Sequence, residues 1–112
     1  MKRYVYIITD RNRSSLHVGM SADLLKTISF YRQMPSLFFD SPGQLSRLIY
    51  FEELRTEDAA LQRFNLISKF TRAQKEKLVR DVNPDWLDLS LGLDYEKMIL
   101  SASLPVRIKK AA

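Results

Sequence analysis

A chain of 112 residues, 46% hydrophobic and without cysteine, has the length for one domain with a small core, and it excludes disulfides and thiolate metal sites. No stretch approaches the ~18 consecutive apolar residues of a membrane span, so no membrane partner is expected, and the lack of cysteine fits the cytoplasm. The net charge of +5 is localised: residues 60–80, "ALQRFNLISKFTRAQKEKLVR", carry six basic residues against one acid, and the tail adds Arg107, Lys109 and Lys110.

The start, "MKRYVYIITD", reaches Asp10 without a small-residue cleavage site and predicts a strand rather than a secretion signal. Residues 3–9 are β-branched and aromatic, which suits a buried strand. "DRNRSS" has turn chemistry, and "LHVG" is expected to return as the second strand of a hairpin. Ser21 is placed to cap a helix over "ADLLKTISFYRQM", in which Leu24, Leu25, Ile28 and Tyr31 recur at helical spacing. "PSLFFDSPGQ", with two prolines and a glycine, predicts a connection packed down by its phenylalanines. "SRLIYFEEL" is the third strand.

Thr56 opens a capping pattern into a second helix, "EDAALQRFNLISKF", with Ala60, Leu61, Phe64, Leu66 and Ile67 as its apolar stripe. Thr71 caps a third, "RAQKEKLVRDV", which "NPDWLDLS" stops, because a residue before proline avoids helical geometry. Trp86 and Leu89 are expected to pack back on the core. The order is ββαβαα, an α+β domain over residues 1–90. Residues 91–112 form a C-terminal extension with one short helix and a basic tail.

The hairpin, "RLIYFEEL" and "SKFTRAQKEKLVRDVNPDWLDLS" together resemble the small standalone GIY-YIG nuclease-domain proteins. The resemblance covers about residues 2–90. The "NPDW" ending is its most specific piece, and the ten residues between Tyr6 and His17 match the spacing of the two family motifs. It implies a three-stranded antiparallel sheet flanked by helices, and metal-dependent hydrolysis of a DNA phosphodiester. In that chemistry a tyrosine in each motif handles the water, an arginine on the first helix stabilises the phosphate, and a glutamate on the second holds one divalent cation such as Mg²⁺.

Carried over, the first tyrosine falls on Tyr6 and the second on His17, which retains a base. The motif's closing glycine is Gly19. The arginine position falls on Thr27, with Lys26 about 100° away around the helix, and the glutamate position falls on Phe64, which ligates no metal. Asp23, Glu53, Glu57 and Asp58 are the carboxylates available to rebuild a site, but Asp23, Glu57 and Asp58 belong to helix starts, where acids complement the dipole. The expectation is therefore a catalytically inactive relative with no metal or other cofactor. On this view Tyr6 is a strand aromatic, Phe64 fills the former pocket, and His17 either contacts a ligand or simply faces solvent.

A charge run is commonly a solvated helix face. This one is nearly all of one sign, and the resemblance implies a DNA-gripping fold. Arg63, Lys69, Arg72 and Lys75, with Lys26 and Arg32 on the first helix, are therefore expected to contact nucleic acid, DNA before RNA. The alternative is an interaction or homodimerisation module using Phe30, Phe38 and Phe39; those rings also suit stacking on unpaired bases. A further alternative is an Mg²⁺-dependent endonuclease with a rebuilt site.

Overall fold

The computed structural model describes the backbone of residues 2–38 and 45–93 and the side chains of all of these except 33–38. The elements are β1 (Arg3–Thr9), β2 (Leu16–Ser21), α1 (Leu24–Phe38), β3 (Arg47–Leu54), α2 (Glu57–Ser68) and α3 (Arg72–Val82), in the expected ββαβαα order. The strands form one antiparallel sheet in the order β2-β1-β3.

Alternation along β1 divides the core in two. Val5 and Ile7 point to one face, where they pack with Ala60 and Ile67 of α2 and Val79 of α3. Tyr6 and Ile8 point to the other, against Leu24 and Ile28 of α1 and Leu48 of β3. A bulge between Ile7 and Ile8 breaks the register, since Ile7 pairs with Tyr50 but Ile8 with Leu48. Ile49 is the extra residue, so Ile49 and Tyr50 both face α2 and α3, and side chains beyond them are offset by one.

Local chemistry explains the helix starts. The Thr56 hydroxyl accepts from the Ala59 N–H, and Thr71 forms a reciprocal capping box with Gln74. The start of α1 differs from expectation: β2 runs on to Ser21, and the cap is Asp23, whose carboxylate accepts from Lys26 N–H at 3.1 Å. Ser21 is occupied elsewhere, accepting from Asp23 N–H and pairing with the Thr27 hydroxyl. The backbone of α1 also stays helical through Pro35, losing only the bond a proline cannot donate. In α2 the buried stripe is narrower than predicted, since Leu61 and Leu66 are 48% and 50% exposed.

Asn83 ends α3 and ties the next segment to β3, donating through its amide to Ile49 O and Leu87 O and accepting from Leu87 N–H. Leu89 N–H then donates to Leu48 O at 2.7 Å, and Leu48 N–H to the Asp88 carboxylate. Residues 83–89 thus cover the outer edge of β3 at Leu48 and Ile49. Trp86 packs on the α2–α3 side and Leu89 on the α1 side, as expected. Residues 90–93 begin a helical turn. The expected short helix and basic tail beyond it, and the Phe39 connection, lie outside the described residues.

Candidate functional site

The Tyr6↔Gly19 and Ile8↔His17 pairings bring the two hairpin motifs side by side on the α1 face. Tyr6 is 3% exposed and lies across Gly19: a Cβ at position 19 would stand 2.3 Å from the Tyr6 hydroxyl. The absence of a side chain at Gly19 is what lets the ring occupy that place. Burial and, after it, the neighbouring Tyr31 hydroxyl raise the Tyr6 phenol well above its ordinary range. It remains protonated at neutral pH and is ill suited to act as a base.

Tyr31 joins the two motifs. Its hydroxyl lies 3.4 Å from that of Tyr6 and 2.9 Å from Nε2 of His17. Partial burial, with the charge of Lys75 second, lowers the proton affinity of His17, so its ring is neutral at neutral pH. Phe30, 58% exposed, meets Tyr31 edge-on at 5.8 Å between ring centres. The sequence places Tyr31 only on the apolar stripe of α1. The available signal was its hydroxyl, since a tyrosine on a packed face needs a polar partner.

Thr27 is half-buried, and its hydroxyl is 2.6 Å from that of Ser21. Phe64 packs with the α2–α3 cluster, on the opposite sheet face from Tyr6, instead of filling space beside that ring. Asp23 and Glu53 line a cleft of about 440 Å³ with Tyr4 and Phe51, but Asp23 caps α1 and Glu53 pairs with Lys2 at 3.5 Å. Among the described residues no three carboxylate or imidazole groups gather. At position 64 itself the side chain is a phenyl ring, which supplies none of the hard oxygen ligands such a cation takes.

The six cations named from sequence separate into two groups. Arg63 donates to Glu52 at 2.8 Å, while Glu52 also accepts from Tyr50, whose phenol is pushed up to about 12 by burial and that contact. Arg72 pairs with Glu76 and donates to the backbone carbonyls of Arg13 and Ser14, clamping the β1–β2 turn. Arg32 bridges Ser46 O, Asp88 and Ser90. These three arginines hold the fold together. Lys26 and Lys69 are exposed and Lys75 is half-buried.

The turn that Arg72 clamps is organised from within by Asp10. This carboxylate is 0% exposed and accepts from Ser14 N–H, Ser15 N–H and the Ser14 hydroxyl. The last of these does most to hold it below the usual carboxylate range. Arg13, with φ of 57°, adds a contact over the Trp86 ring at 5.2 Å.

No family model matches the chain, and no curated protein sequence does either. A solved structure does: the solution NMR structure of the UPF0213 protein BH0048 from Bacillus halodurans, with a TM-score of 0.51. The likeness covers 96% of this chain and 100% of that one. The fold is GIY-YIG-like. At 18% identity the likeness is one of fold alone.

Proposed function

We propose that this protein binds nucleic acid, DNA in preference to RNA, on a nuclease-like fold that does not cut. The observation that carries this reading is that the basic segment is docked on the hairpin: Arg72, at the start of α3, donates to the Arg13 and Ser14 carbonyls of the β1–β2 turn, and Lys69, three residues before it, is exposed. The basic run thus adjoins the hairpin at its turn. Inactivity is supported by Thr27, whose hydroxyl is engaged by Ser21, and by Phe64, absorbed into packing on the far side of the sheet.

The test is a titration of labelled duplex and single-stranded DNA at about 50 and 200 mM salt, the range over which phosphate contacts lose affinity steeply. Mg²⁺ is present, and part of each sample goes onto a denaturing gel. Expected are salt-sensitive binding, intact strands, and weaker binding for Lys75→Glu and Lys69→Glu. Arg72 is left alone because it clamps the hairpin turn. Salt-insensitive or undetectable binding overturns the reading, and cleavage that a chelator stops overturns its claim of inactivity.

A further inference from the structure

Building on the nucleic-acid reading, we infer that the phosphate backbone is gripped at one end of the sheet, by Arg11 of the β1–β2 turn together with Lys69 at the end of α2. Arg11 lies far in sequence from the basic segment 60–80, and the fold brings the two together. α2 starts beyond Leu54, which pairs with Arg3 at the far end of the sheet, and finishes at Ser68. Four residues later the Arg72 guanidinium donates to Arg13 O and Ser14 O, which puts Lys69 at the turn end. Arg47 joins them there, because it pairs with Thr9 at the start of β3.

The two ends of the sheet differ in charge. At the far end, acids offset the cations around them, as in the pairs Lys2–Glu53 and Arg3–Glu57. At the turn end the acids are already engaged: Asp10 is buried and bonded within the turn, Glu76 pairs with Arg72, and Asp88 pairs with Arg32. Asp85, whose carbonyl receives Arg13, offsets one charge more. Arg11, Arg47 and Lys69 remain as a surplus. The six residues of β2 separate the two ends by about 17 Å at the rise of a strand. That is roughly two Debye lengths at physiological salt, so the far acids do not cancel this surplus.

Arg11 is mounted to use that charge. It is exposed and enters no ion pair among the described residues. The turn that carries it is braced from three sides: Asp10 accepts from Ser14 N–H and Ser15 N–H, Arg72 holds the carbonyls, and Arg13 sits over the Trp86 ring at 5.2 Å. Binding then orders a side chain and no backbone, which keeps its entropic cost low. Contacts of this kind go to phosphate and carry no sequence information.

The experiment titrates the full chain with a labelled DNA duplex at several salt concentrations between about 50 and 200 mM, and reads the slope of log affinity against log salt. Arg11→Ala and Lys69→Ala each make that slope shallower by about 0.9, one phosphate contact, and the double variant by about 1.8. Arg11→Lys keeps the parent slope. Arg55→Ala, an exposed cation just beyond Leu54 at the far end, also leaves it unchanged. Thermal unfolding equal to the parent's shows that each variant keeps the fold.

A parent slope in Arg11→Ala overturns the inference. So does an equal loss in Arg55→Ala, which means a diffuse field in place of contacts at the turn. If Lys69→Glu still weakens binding in either case, nucleic-acid binding itself stands. Failure of the parent chain to bind removes both readings together.

Discussion

The two faces of the sheet give Tyr6 and Phe64 different surroundings. On the α1 face, the hairpin positions remain polar and connected: Tyr6, Tyr31 and His17 form a hydrogen-bonded line from a buried phenol to the surface. On the α2–α3 face, Phe64 lies among Ile67, Val79 and their neighbours as packing. One face thus keeps a polar line while the other is closed by apolar packing, and each is stabilised separately. The first depends on hydrogen bonds and on a missing side chain at Gly19; the second depends on apolar area removed from water.

The strongest way to break this contrast is to place a carboxylate at position 64. Phe64→Glu is expected to cost about 3 kcal/mol, the low end for losing a packed phenylalanine because the ring is only half-buried. Combined with Thr27→Arg, it yields no Mg²⁺-dependent cleavage of DNA. Denaturant unfolding and a gel assay check both points, and cutting by the double variant would mean that Phe64 reaches the hairpin face after all.

Next in size is Gly19→Ala, which forces the Tyr6 ring to move. A loss of about 2 kcal/mol is expected, as for overpacking a filled site, with a shifted His17 NMR signal as the Tyr31 link is disturbed. Stability unchanged from the parent would mean that the ring has somewhere else to go.

The smallest effect sharpens the electrostatic side. His17 has a lowered folded proton affinity, so it titrates below 6.5, and its contribution favours folding above that pH. As pH falls below 6.5 the unfolded chain takes up the proton first, and this contribution is lost down to the lower, folded value. Lys75→Ala moves the His17 midpoint upward, but not all the way, because burial is the larger cause. An NMR titration of the single histidine measures it directly.

Much of this architecture was legible because it is written locally. The β-branched run of residues 3–9, and Thr56 and Thr71 with their partners three residues on, specify strand and caps without help from distant chain. What could not be read depends on approach in space. Arg32 meets Asp88 across 56 residues, and Arg72 reaches Ser14 O across 58, so three arginines that look like free charge in sequence are ties within the fold. The bulge at Ile49 likewise leaves no local signature, yet it decides that Glu52 faces Arg63. Tyr31 looked like core because periodicity reports which face a residue occupies, and is silent on where its hydroxyl ends.

The segment running beside β3 has a consequence for how this chain tolerates shortening. Leu48 gives both of its backbone groups to Asp88 and Leu89, and the Asn83 side chain holds Ile49 O. A protein ended after Val82 would keep every strand and helix named above. It would also bare the Leu48 N–H and the Leu48 and Ile49 carbonyls at the outer edge of the sheet, a place for another strand to pair. The residues after the last full helix thus act as a selvedge at one end of β3, where they take up backbone groups that another strand could otherwise pair with.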